Sequence, residues 1–258
     1  MGGLIECYLD IASYYSYIAF AQILKNEELL KQHGVEIRIH PILLGAINAA
    51  SGNKPPSTLP AKAAYLPYDM ARAARAVGLP IIDAPEDLFA AARTQTPLRA
   101  LHYIRATYPT SAYHATLSHL FSVFWQEHRL FNGPAELGAV LGEIPSGAVP
   151  NKSSTSPTSP LFTSTDITSI LAAAASPHYK DALKGAVDEA LERGAFGAPW
   201  FWVTTDDARA EAGGEEKKSE PFFGSDRWGW IYEFLGLPCS GVALLAPSEG
   251  KGRDKARL

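Results

Sequence analysis

In the stretch "ECYLDIASYYSYIAF", residues 6 to 20, an apolar run reaches Asp10 and is followed by two serines, Ser13 and Ser16. Beyond them the pattern becomes helical. Ser13 therefore stands where a strand gives way to a helix, at the point where the first backbone N–H groups lack carbonyl partners and the helix dipole leaves positive charge. A hydroxyl beside free N–H groups suits an anion brought from outside. The same serine is also an ordinary N-cap, its oxygen accepting from a first-turn N–H. Local sequence leaves both readings open.

Three other stretches carry residues with similar possibilities. In "GAFGAPWFWV" (194 to 203) Pro199 stands at the entry to a strand. A cis bond there would leave the N–H and C=O of Ala198 free to pair with an extended peptide. Only ~5–6% of X-Pro bonds in folded proteins are cis, so the proline gains meaning from its place in the order of elements. In "FFGSDRW" (222 to 228) Gly224 allows a tight turn, and Ser225-Asp226 is expected to begin a helix. That helix start would take a carboxylate, with Asp226 pairing an amino group, although Ser-Asp is also common capping chemistry. In "SGNKPP" (51 to 56) Asn53 can give and take hydrogen bonds, and Lys54 or Lys62 can meet a carboxylate. Such a segment is otherwise simply a turn.

The elements that must position these residues follow from periodicity. Leu4 to Ile11 reads as a buried strand, Ser13 to about Gln32 as a helix stopping at Gly34, and "VEIRIH" as a half-buried strand with alternating apolar residues. Together they form a βαβ unit. From about 61 to 193 the chain is rich in Ala and Leu, with helical spacing in "YDMARAARAVG", "EDLFAAARTQ", "ATLSHLFSVFWQEH" and "HYKDALKGAVDEALERG". The insert "PSGAVPNKSSTSPTSP" (145 to 160) is low in complexity and expected to be a mobile loop. After Gly194 a strand, a charged hairpin loop (206 to 220), a short strand and a helix complete the order.

A βαβ unit, a helical block and a ββα unit can build one four-stranded sheet with helices on both faces. The fold class is therefore α/β, with a thioredoxin-like sheet and an inserted all-helical domain. Residues 1–50 and 194–240 form the discontinuous thioredoxin-like domain, 60–193 the insertion and 241–258 a C-terminal tail. In such a fold the first helix usually starts with Cys-x-x-Cys, its thiol activated by the helix end. Here both positions are serine, which excludes disulfide exchange by the protein's own side chains at this site. The anion-holding environment survives, and a thiolate from a bound thiol is its natural occupant.

Composition limits the alternatives. The chain has 258 residues, 47% of them apolar and 19% charged, with a net charge of -4. Mild acidity gives no footprint for nucleic acid, and no apolar run approaches the roughly 18 residues that span a bilayer. The N-terminus lacks a basic n-region, so no secretory signal is expected. The only cysteines, Cys7 and Cys239, form no paired motif. The intervals between His114, His119 and His128 do not place them on one helix face, so no metal site is expected. Gly-x-Gly-x-x-Gly, P-loop, Gly-x-Ser-x-Gly and His-Glu-x-x-His motifs are absent. The ending Ala256-Arg257-Leu258 has the form of a peroxisomal address, or is a basic tail.

Taken in order, "ASYYSY", "SGNKPPSTLPAKAAYLPYDM", "RGAFGAPWF" and "FFGSDRW" resemble the kappa-class glutathione transferases, relatives of the glutathione-dependent 2-hydroxychromene-2-carboxylate isomerases. The resemblance covers essentially the whole chain. It implies a homodimer that uses glutathione as co-substrate, without a metal, against a small hydrophobic electrophile, in detoxification. Ser13 matches the catalytic serine. Asn53, Ala198, Ser225 and Asp226 match glutathione-contacting positions, and Tyr14, Tyr15, Lys62 and Pro199 complete the expected binding set. Ala198 replaces a bulkier aliphatic residue and Tyr14 the usual proline; the 145–160 insert has no counterpart. This class occurs in mitochondria and peroxisomes, which favours peroxisomal import through the Ala-Arg-Leu ending, with mitochondrion or cytoplasm as alternatives. The rival activities are glutathione-dependent cis–trans isomerisation of an aromatic unsaturated acid and non-catalytic glutathione binding.

Overall fold

The computed structural model describes residues 2–148, 159–206 and 218–240. The chain opens with β1 (Gly3–Leu9), α1 (Tyr14–Gln32) and β2 (Val35–Pro41), followed by a short helix, α2 (Leu44–Ser51). The helical block contains α3 (Pro60–Val77), α4 (Leu88–Ala91), α5 (Gln95–Thr107), α6 (Thr110–Trp125), α7 (Pro134–Gly142), α8 (Ser164–Ala175) and α9 (Pro177–Glu192). The chain then returns to the sheet as β3 (Trp200–Thr205) and β4 (Ser219–Phe223) and closes with α10 (Trp228–Phe234). The four-stranded sheet has the order β2-β1-β3-β4. Its β1–β2 pair is parallel, and β1–β3 and β3–β4 are antiparallel. This is the thioredoxin-like arrangement expected from the element order.

The central strand β1 has neighbours on both sides, and its period-2 alternation feeds two apolar layers. Ile5, Cys7 and Leu9 enter a cluster with α1, α10 and the helical block. Tyr8 faces the other way and packs with Trp200, Ile47 of α2, and Ala186, Val187 and Ala190 of α9. The block and the sheet share the first cluster: the Tyr17 ring of α1 stacks on Phe121 of α6 at 5.0 Å. Gly3 sits where a Cβ would lie 2.3 Å from the Thr204 carbonyl oxygen, so the first residue of β1 must be glycine for β3 to approach.

Several local expectations need correction. Ser225 and Asp226 do not begin a helix: α10 starts at Trp228, with Arg227 at the N-cap and no side-chain cap. The reason is local. Gly224 takes φ +103° and gives its N–H to the Pro199 carbonyl at 3.2 Å, which holds the chain in a turn before it can coil. α6 ends at Trp125, so His128 lies beyond it, at φ +53°. Trp230 is 59% exposed and lies beneath the Arg227 guanidinium. The 145–160 insert is closed at its base by a Pro145–Pro160 bridge and a Ser146 N–H to Ser159 carbonyl bond of 2.8 Å. Its residues 149–158, residues 207–217 of the charged hairpin loop, and the 241–258 tail with Ala256-Arg257-Leu258 lie outside the described residues.

Candidate active site

The start of α1 is built as a capped turn. The Asp10 carbonyl accepts the Ser13 N–H at 3.0 Å, and the Ser13 carbonyl accepts the Tyr17 N–H at 3.1 Å to begin the helix. Ser13 is the N-cap, in extended conformation, with its Oγ accepting the Ser16 N–H at 3.1 Å. Its hydroxyl donates to the Ala198 carbonyl oxygen at 3.0 Å, across 185 residues of sequence. Ser13 is thus the cap of the helix, and its hydroxyl also reaches the segment before Pro199. The Ala198–Pro199 bond is cis. The expectation that both polar groups of Ala198 stand free is corrected: the carbonyl is taken by Ser13, because the helix start and the proline loop approach within hydrogen-bond distance. The Ala198 N–H has no acceptor among the described residues.

Other predicted residues gather around this contact. Asn53 follows the α2 terminus, where Gly52 takes φ +74°, and donates its amide N–H to the Phe196 carbonyl at 2.6 Å. Its side-chain oxygen accepts the Lys54 N–H at 2.9 Å, so Asn53 ties its own loop to the proline loop. Ser225 is buried in the turn that Gly224 ties to Pro199. Ser13, Asn53, Ala198, Pro199 and Ser225 therefore come from four segments and meet at one end of the sheet. Asp226, one residue on, is exposed and pairs with Arg227 at 2.6 Å. Lys62 lies exposed in the first turn of α3 and has no acidic partner among the described residues.

The two tyrosines are used differently. Tyr14 is buried; its hydroxyl donates to the Met70 carbonyl at 3.0 Å and its ring meets Trp125 edge-on, so its side chain struts the helical block. Burial pushes its phenol up to about 12. The half-buried Tyr15 donates to the Asp69 carboxylate, which also accepts from Tyr65 at 3.3 Å. Both phenols thus bind α3. Cys7 is free and buried, and burial raises its thiol well above the usual range.

One residue at the site was passed over in sequence reasoning. Asp10 is 1% exposed, and its carboxylate accepts from Ala12 N–H at 3.0 Å, Leu44 N–H at 2.7 Å and the Thr94 hydroxyl at 2.9 Å. Burial raises its pKa to about 6, and those hydrogen bonds oppose the rise. The only sequence signal was an acid at the end of an otherwise apolar strand.

A helix start facing a cis-proline loop on a mixed four-stranded sheet, with a helical block inserted, defines a thioredoxin-fold protein. The chain belongs to the DSBA-like thioredoxin domain family, whose model matches residues 4–145, more than half of it. It is 28% identical over 236 residues to glutathione S-transferase kappa 1 of Caenorhabditis elegans, with 91% of each chain covered. It is 24% identical to the human protein of the same name over 235 residues, covering 90% of each. A solved 2-hydroxychromene-2-carboxylate isomerase shares the fold, with a TM-score of 0.63 at 20% identity over 90% of this chain and 94% of that one.

Proposed function

We propose that this protein is a kappa-class glutathione transferase that binds glutathione as its thiolate and joins it to a small hydrophobic electrophile. The observation that carries the reading is the Ser13 hydroxyl, held at the N-terminus of a 19-residue helix against the carbonyl before a cis-proline, where the cysteines of a redox pair are replaced by serines. Two curated kappa transferases aligned over nine-tenths of the chain support it.

In this reading glutathione lies extended along Ala198, in the manner of a strand added to a sheet edge. Its backbone N–H replaces the Ser13 hydroxyl at the Ala198 carbonyl, and the released hydroxyl turns to the glutathione sulfur. The exchange conserves hydrogen bonds. The γ-glutamyl end lies toward Ser225 and Asp226, and Asn53 and Lys62 serve a carboxylate. A free thiol of this type has a pKa near 8.5, and each unit of depression corresponds to about 1.36 kcal/mol of preferential thiolate binding. A partly buried helix end supplies up to ~2 kcal/mol. A hydrogen bond to a charged acceptor supplies about 1.5–3 kcal/mol. Together these lower the thiol by about one to three units, the hydroxyl supplying one to two of them, and ionise much of it near neutral pH. The sulfur lone pair then forms the C–S bond to the electrophilic carbon, whose leaving group departs with its bonding pair or whose activated double bond gives up its π pair to a proton, while Ser13 stabilises the thiolate and forms no covalent bond itself.

Turnover with an electrophile tests the reading directly. Glutathione must be consumed in step with adduct formation. Turnover with glutathione unchanged makes the protein an isomerase, and tight binding with no depression of the thiol pKa makes it a glutathione-binding protein. The active species in this reading is a homodimer, so sedimentation must give twice the 27.8 kDa chain mass.

A further inference from the structure

A buried carboxylate is costly to keep, and the effective penalty is several kcal/mol per ion even after relaxation. Asp10 pairs with no cation among the described residues; the Ile11 N–H lies against its carboxylate, which takes hydrogen bonds from three further donors, the Ala12 and Leu44 N–H groups and the Thr94 hydroxyl. Those three donors belong to different parts of the molecule. Ala12 immediately precedes the Ser13 cap. Leu44 is the first residue of α2, whose far end leads to Asn53. Thr94 is a fully buried residue of the helical block at the N-cap of α5. The main chain of Asp10 joins in, with its carbonyl accepting the Ser13 N–H at 3.0 Å. A neutral or apolar residue would fill this space with less desolvation, and a negative charge near a thiolate opposes its formation. Packing and electrostatics both argue against an acid here, whereas three converging donors argue for one.

From this geometry we infer that Asp10 is a positioning residue for the sulfur cradle: its carboxylate fixes the turn that presents Ser13 and locks it to the helix leading to Asn53 and to the helical block. The inference rests on the glutathione reading above. Asp10 touches no reacting atom in it and acts through Ser13. An ionised carboxylate offers lone pairs to all three donors at once. Asparagine offers an acceptor on one side only and turns an N–H toward a donor on the other, so at least one of the three contacts becomes repulsive.

The test is the thiol titration of glutathione bound to wild type and Asp10→Asn, followed by thiolate absorbance, with thermal unfolding measured alongside. A displaced cradle raises the bound thiol pKa by about one unit, roughly a fivefold loss of thiolate at pH 7 for a thiol that titrates at about 7 in wild type, and lowers kcat/KM by a similar factor. Removing the charge without moving the cradle would do the reverse and lower the thiol pKa. A lowered or unchanged pKa in the variant overturns the inference, even if the melting temperature drops. Should Asp10→Asn fail to fold, Thr94→Val removes one of the three donors and must shift the thiol in the same direction by a smaller amount; an unchanged titration there overturns the inference equally. A wild type that binds glutathione with an unperturbed thiol removes the glutathione reading itself and this inference with it, an outcome distinct from the other two.

Discussion

The role given to Ser13 can be worked into numbers through Ser13→Ala. The hydroxyl makes two bonds in the protein, accepting from Ser16 N–H at 3.1 Å and donating to the Ala198 carbonyl at 3.0 Å. Loss of the cap costs roughly 0.5–2 kcal/mol of stability. The Ala198 carbonyl, with a buried neighbourhood and no replacement donor, adds about 1 kcal/mol more. The variant should therefore unfold at lower denaturant by some ~2 kcal/mol and still fold, since domains of ordinary stability have 5–15 kcal/mol in hand. The effect on bound glutathione is separate. Losing a hydrogen bond to a charged sulfur, about 1.5–3 kcal/mol, raises the thiol pKa by one to two units. A thiol at a pKa of about 7 is half ionised at pH 7, and at about 8.5 it is some 3% ionised, so thiolate and kcat/KM fall roughly 15-fold at that pH. The difference must shrink as pH rises above 9. Thiolate absorbance of the saturated complex, read against pH for both proteins, measures the shift, and a urea titration reads the stability term independently. Superimposable absorbance titrations would falsify the assignment, whatever the urea curves show.

Acid should destabilise the fold through buried imidazoles. Burial lowers His102, bonded to the Pro41 carbonyl at 2.9 Å, to about 4, and burial with the Arg105 and Arg193 guanidinium groups lowers His40 to about 3. Between about pH 4 and 6 the unfolded chain binds these two protons and the native one does not, so stability drops as pH falls through 6.5, while Asp10, raised to about 6, takes up a proton in the native state and opposes one of them. One net proton corresponds to about 1.4 kcal/mol per pH unit, and His102→Gln, which retains a donor for Pro41, should flatten the slope; denaturant midpoints that stay level from pH 6.5 to 4 would contradict this. Gly3→Ala should be severely destabilising, because its Cβ would meet the Thr204 carbonyl oxygen at 2.3 Å; overpacking of this kind costs about 1–3 kcal/mol or more, and a melting temperature within a degree or two of wild type would refute it. If Ala256-Arg257-Leu258 is read as a peroxisomal address, a fluorescently tagged protein should collect in peroxisomes and deletion of that ending should return it to the cytosol; an unchanged distribution would remove the address reading.

The sheet was legible because each strand announces itself by its own period. β1 is buried along both faces, with Glu6 its one charged residue, and β2 alternates because it lies at an edge. Ser13 and Pro199 could be placed at one end of that sheet from element order alone, and there the Ser13 hydroxyl reaches the carbonyl of Ala198, the residue before the proline. Other features were illegible for specific reasons. α2 lies in "LGAINAAS", a segment without a capping side chain to mark where a helix begins. Ser225-Asp226 carries the composition of a helix cap, but the tie between Gly224 and Pro199, a tertiary contact, decides where the coil begins. Asp10 looked like a strand terminus because its three donors are separated from it by 2, 34 and 84 residues.

The two serines of the opening motif are unequal, and that inequality shapes what the site can do. Ser16 is fully buried, within 3.4 Å of the Asp10 N–H, whereas Ser13 retains some exposure and directs its hydroxyl across the cleft to the proline loop. In a redox pair the inner thiol completes the disulfide begun by the outer one. Here the inner position carries a hydroxyl committed to the protein interior, so a sulfur bound at Ser13 meets no second sulfur on the protein side. A reactive thiolate held there can discharge only toward a molecule on its open side. A redox fold becomes a transferring one by this change of two oxygens for two sulfurs, provided the helix start keeps the geometry that favours the anion.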